Sequence, residues 1–316
     1  MSTLRTIAER VMDAVVHPTV RLKASTEFPL TGVALGKAYL VGFLLFMAGS
    51  TIPVLLFIAL ITGLAYYAPP ETTNALFKLI FVNNADPSPF LLGTMMIASF
   101  LGGFALEMRY LRGLLHKKGC RLRDVVGLSI GPMRGRNWLA TFWNIAWRAV
   151  LIFGATLAIE QTLDLFVHVP EQPTIEYARK LTGGSAWMFV VLAAGMAPVL
   201  EEFCFRGILF QAMRATFHGY RAAAEGSTSG KSSRFGRWMG RVVLKTAGRA
   251  DFAAVLGSAF VFALWHLQFH PVHLLLLTGM GCVFAETFRR TGTLWTSIAV
   301  HALNNGFMAL LLMYGS

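Results

Sequence analysis

The hydrophobic positions fall into long unbroken runs, not into the alternating or one-faced stripes of a water-soluble core. Seven runs approach the roughly 20 apolar residues that a bilayer crossing requires. They lie at 38–67, 89–108, 144–167, 186–213, 251–268, 273–288 and 294–314. The sixth is short by this measure and fits a helix with little tilt or one shielded by protein. The start of the chain has another pattern. Leu4, Ile7, Val11 and Val15 share one helical face, with Arg5, Glu9, Arg10 and Asp13 on the others. This predicts an interfacial helix on the cytoplasmic surface. It is not the pattern of a signal peptide, because no short apolar core precedes a small-residue cleavage site. The fold class expected is all-α: a polytopic transmembrane helical bundle of about seven membrane helices, with an amphipathic N-terminal helix.

Composition supports this reading. Hydrophobic residues make up 55% of the 316 and charged residues only 14%, against about 25% charged in a soluble domain. A soluble fold would have to bury nearly every helix on all sides. The net charge of +12 fits either a nucleic-acid footprint or cytoplasmic loops, and position along the chain decides between them. Residues 1–37 hold five Lys/Arg, 109–148 nine and 214–250 eight, and Arg289 and Arg290 follow the sixth run. The alternate loops hold Lys78, Arg179 and Lys180 beside Glu71, Asp86, Glu171 and Glu176. This is the positive-inside bias. It predicts a cytoplasmic N-terminus and an outer C-terminus, and the expected location is integral to a bacterial inner (plasma) membrane. The partners expected are membrane lipids and a membrane-associated peptide or protein, with no nucleic acid. Cys120, Cys204 and Cys282 match no metal or redox spacing.

Three regions follow: a cytoplasmic or interfacial segment at 1–37, a first transmembrane region at 38–185, and a second at 186–312. The last is interrupted by the basic loop 214–250. Residues 224–233 read as a flexible Gly/Ser-rich linker. Its basic flank, Arg234 to Arg249, suits anionic lipid.

Ionisable side chains inside a bilayer are costly and mark function by default. Glu201 and Glu202 sit near the middle of the fourth run, with Pro198 three residues before Glu201. Adjacent helical residues point about 100° apart, so the two carboxylates take different parts. Glu202 and Arg206, four apart, can pair on one face; the bland reading is that they only glue helices. Glu201 faces elsewhere. His266 lies near the outer end of the fifth helix. Taken alone it reads as an interhelical hydrogen bond. On the seventh helix His301 and Asn305 share a face, while Asn304 points toward a neighbouring helix. His270 and His273 are expected at the outer surface, facing water. Ser258, Ser297 and Cys204 read as packing positions, and Glu286 as a local partner of Arg289 and Arg290.

Glu201, His266, His301 and Asn305 together supply what water activation and oxyanion stabilisation require. Glu201, His266 and His301 could instead ligate one divalent metal such as zinc. No H-E-x-x-H pair is present.

The series Glu201-Glu202-x-x-x-Arg206, Phe262-x-x-x-His266 and His301-x-x-x-Asn305 resembles the three motifs of the CAAX-protease and bacteriocin-processing (CPBP) family of intramembrane proteases, relatives of the CAAX prenyl-protein endopeptidases. The run from Arg290 to Trp295 is similar to the family's lead-in to its last motif. The resemblance covers roughly 186–312. It implies an intramembrane endopeptidase, metal-dependent or glutamate-type. It assigns Glu201 as general base helped by His266, His301 and Asn305 to the oxyanion, and Glu202 and Arg206 as support. Two other functions compete: a non-catalytic immunity or adaptor protein of the same family, and an ion-coupled carrier.

Overall fold

The computed structural model describes residues 32–74, 81–82, 86–87, 89–128, 138–166, 175, 178–179, 181, 183–225, 234–242, 247–266 and 270–314. The expected N-terminal amphipathic helix and most of the Gly/Ser-rich linker lie outside them. Apart from turns and a two-residue antiparallel pairing of Phe81–Val82 with Asp86–Pro87, the described chain is helical. Its elements are α1 (Gly32–Tyr67), α2 (Pro89–His116), the single turn α3 (Leu122–Val125) and α4 (Trp138–Asp164). A continuous rod over 183–224, here α5, follows, then α6 (Arg234–Val242), α7 (Ala247–Leu264), α8 (Pro271–Thr291) and α9 (Leu294–Tyr314).

The all-α membrane architecture is as expected, but the count of seven spans is not established. Five segments are long and apolar enough to cross a membrane: Leu40–Leu64, Ala140–Leu163, Ala186–Ala222, Pro271–Thr291 and Leu294–Tyr314. The runs 89–108 and 251–268 do form helices, α2 and α7. However, α2 carries Glu107, Arg109 and Arg112, and α7 begins with Arg249 and Asp251 and stops at Leu264. Outward faces are oily, with Leu44, Leu55 and Leu56 on α1 and Trp143 and Val150 on α4 exposed. Exposed apolar area on this scale needs lipid to cover it.

Helices α1 and α2 approach backbone to backbone through glycines. A Cβ on Gly49 would lie 2.5 Å from the Gly102 carbonyl oxygen, and one on Gly103 would lie 2.7 Å from that of Phe46. Lipid tails are as apolar as leucine, so close contact of small residues is what binds membrane helices together. Gly49→Val is therefore expected to force the pair apart and destabilise the protein by about 1–3 kcal/mol. Thermal unfolding in detergent checks this, and an unchanged midpoint would refute it.

The main core surrounds α5. Phe203 and Phe210 pack with Phe288 of α8, Leu294 of α9 and Leu111 and Leu115 of α2. Two features then fix the entry to α9. Gly292, at φ 71°, ends α8 in the left-handed conformation and returns its N–H to Phe288 O at 2.9 Å. The Leu294 N–H donates to Gly127 O at 2.8 Å, and Trp295 Nε1 to Leu128 O at 3.1 Å. Gly127, at φ 76°, sits where a Cβ would strike the Phe288 ring. Together these contacts set the depth and rotation of α9, and with them the position of His301.

Candidate active site

The centre of α5 is shaped by Pro198. Val191–Met196 and Phe203–Phe210 are π-helical, and Ala197–Glu202 between them is α-helical. In a π-turn each N–H reaches the carbonyl five residues back, and Ala197 does so to Leu192. The next donor in that register, for the Ala193 carbonyl, falls at residue 198, and proline has no N–H. Asn305 of α9 supplies the missing donor, with Nδ2 at 2.9 Å from Ala193 O. A proline on one helix thus creates the acceptor that holds an amide of another.

Glu202 is fully buried, as is Arg206 one turn on. Glu202 Oε1 lies 3.0 Å from Arg206 Nη1 and 2.9 Å from His301 Nδ1. Its Oε2 accepts from the Ser297 hydroxyl. Arg206 Nη2 donates to Gly281 O at 3.1 Å, and the guanidinium lies 4.5 Å from the centre of the Phe262 ring and 5.2 Å from that of Phe284. A buried ion pair is costly unless further hydrogen bonds support it, and Ser297, His301 and the Gly281 carbonyl each supply one here. The pair read from the spacing is present.

His301 is held on three sides. Its ring stacks on Phe284 at 4.4 Å and 17°, and meets Phe262 edge-on at 6.0 Å. With Nδ1 engaged by Glu202, Nε2 is the nitrogen presented to Glu201, 3.8 Å from Oε2. His266 has Nδ1 2.9 Å from Phe262 O, the i−4 carbonyl of its own helix, which directs the ring.

Glu201 of α5, His266 in the turn that ends α7, and His301 and Asn305 of α9 line one cavity of about 590 Å³. Its walls are mostly apolar, with Phe46 of α1, Phe100 of α2 and Phe153 of α4 among them. Glu160 of α4 lines it too. The size suits a ligand, since such pockets run to about 300–1,000 Å³ with a few convergent polar groups.

Other expectations are corrected. Asn304 does not turn to a neighbouring helix. It lines the same cavity and its Nδ2 donates to Asn305 Oδ1 at 3.3 Å. His273 is buried and does not face water, while His270 caps α8 by accepting the Val272 N–H at 3.4 Å. Ser297 is more than a packing residue. It braces Glu202, and the signal for this was in the sequence, since Ser297 stands one turn before His301. Ser258 does behave as packing, donating to Val255 O at 3.2 Å. Glu286 binds Arg289 at 2.6 Å as read.

Glu201, His266 and His301 form no three-ligand group, and among the described residues neither does any other set of His, Cys, Asp and Glu. Both His301 nitrogens already face carboxylates.

Residues 183–307 match the family described as type II CAAX prenyl endopeptidase Rce1-like. This segment is a domain of that family. Comparison of the chain with curated proteins and with solved structures gives no match. The Rce1-like domain runs from the start of α5 into α9 and contains Glu201, Glu202, Arg206, His266, His301 and Asn305. The family is one of proteases, and five helices able to cross a membrane make the chain an integral membrane protein. Walls of the cavity formed by α1, α2 and α4 lie outside the matched segment.

Proposed function

We propose that the protein is an intramembrane endopeptidase that hydrolyses a peptide bond of a membrane-associated or lipidated substrate, with Glu201 as general base. The observation that carries this is the shared cavity: a partly exposed carboxylate, two imidazoles and two amides converge in an otherwise apolar space. Glu201 takes a proton from water as the water oxygen attacks the peptide carbonyl carbon. His266 helps hold that water. His301, carrying a proton on Nε2 as well as the one on Nδ1 held by Glu202, and Asn305 donate to the oxyanion that forms, Asn305 through the amide hydrogen not given to Ala193. The C–N bond then breaks, and the proton held by Glu201 passes to the departing amine. Glu202, Ser297 and Arg206 fix the tilt and tautomer of His301. We place the N-terminus in the cytoplasm and the C-terminus outside on the distribution of basic loops.

The test is to incubate purified protein in vesicles with a library of membrane-anchored peptides in ¹⁸O-labelled water. One ¹⁸O in each new carboxylate, from a single turnover, is the expected product. A trapped acyl-enzyme would replace the activated water by a protein nucleophile. Transport of a solute by sealed vesicles, with no peptide cut, would favour a carrier.

The role of Pro198 gives a separate prediction. Pro198→Ala supplies an N–H that competes with Asn305 for the Ala193 carbonyl. Cleavage is expected to fall about ten- to a hundredfold, because a displaced amide no longer meets the oxyanion. Stability should change little. Unaltered turnover in this variant would show that the proline does not position Asn305.

A further inference from the structure

Beside Glu201 a smaller cavity of about 100 Å³ opens between α1, α2 and α5. It shares Phe46, Phe100 and Glu201 with the large cavity. Its rings include Phe43 and Trp265, which meet edge-on at 4.8 Å. An apolar cavity of about 150 Å³ holds a benzene molecule, so this space suits one side chain of a few carbons.

The polar end of the cavity is Glu107 of α2, 7% exposed. Among the described residues its polar partner is the Cys204 thiol, 3.5 Å from Oε1 and 3.6 Å from Oε2. No cation pairs with it there. Gly42 makes room for the carboxylate, since a Cβ at that position would lie 3.3 Å from Oε1. A buried carboxylate is costly unless a positive charge answers it, and a thiol is only a weak donor. Aromatic faces around it also attract a cation. Glu107 lies outside the matched segment 183–307.

We propose that this side cavity is a specificity pocket for a cationic side chain, Lys or Arg, at a residue flanking the scissile bond. Glu107 is its charged floor. The assignment of the flanking position rests on the peptidase reading above; the binding of a cation to the pocket does not.

Two measurements test it. In the first, peptides that differ only in Lys, Arg, norleucine or Glu at each flanking position are offered to the full chain in vesicles. Lys or Arg should be preferred over norleucine at one position by about tenfold or more in kcat/KM. Glu107→Gln should erase that preference, read as the ratio of kcat/KM for the Lys and norleucine peptides within the variant. A preference that survives Glu107→Gln, or a wild-type preference for norleucine, would overturn the proposal. In the second, n-butylamine and uncharged n-butanol are titrated against Trp265 fluorescence, with Trp265→Phe as background. The amine should saturate the signal in wild type and in Glu201→Gln, but not in Glu107→Gln, and the alcohol should not. Equal responses to amine and alcohol, or an amine response that persists in Glu107→Gln, would refute the cation site. An amine-specific signal from a protein that cuts no peptide would refute the peptidase reading and leave the cation site standing.

Discussion

Replacement of Glu201 by glutamine is expected to lower peptide cleavage by about 10²–10⁴-fold, the range a well-placed general base contributes. Glutamine keeps the size of the side chain and can still donate to a nearby acceptor, but it cannot take the proton of the attacking water. The loss should therefore appear in kcat, with little change in KM or in thermal unfolding. That pattern separates Glu201 from Glu202, which lies in the buried cluster with Arg206, Ser297 and His301. Single-turnover cleavage of a reporter peptide, run beside unfolding curves, decides the matter. If Glu201→Gln cuts at the wild-type rate, the base must be sought elsewhere in the cavity.

The second large effect is on folding. Arg206→Met should destabilise the protein by about 3–5 kcal/mol, because it leaves Glu202 buried beside an apolar side chain. Adding Glu202→Gln removes the stranded charge, so the double variant should recover much of that loss. It should remain slow, since His301 then has no anion at Nδ1. Reversible unfolding of the wild type, both single variants and the double variant in one detergent closes the cycle. Simple additivity of the two single changes would mean that the pair is not coupled in the way its 3.0 Å contact indicates.

Much of this site was legible in the chain because helical geometry is regular. A four-residue step put Glu202 with Arg206 and His301 with Asn305, and a one-residue step sent Glu201 to another face. What could not be read was anything that depends on departure from that regularity. Asn304 should have faced away from Asn305, yet the two amides share a cavity. The use of the Asn305 amide in place of the donor that Pro198 lacks needs a π-turn, which no local spacing announces. Glu107 was hidden for a different reason. It sits in an apolar run just before Arg109, where it reads as a routine helix-end charge, and only the packing of α2 beside α5 shows that it faces a cavity. The span count stays open on a related ground: apolar length alone does not say whether a helix crosses the bilayer.

The glycine seam between α1 and α2 has a bearing on how such proteins diversify. Those two helices pack against each other beside the large cavity, contributing wall residues such as Phe46 and Phe100. None of the proposed water-activating groups comes from them. Outside that seam, wall positions such as Phe46 and Phe100 can consequently vary in shape, retuning which chains are admitted while the proposed chemistry at Glu201 and His301 stays as it is.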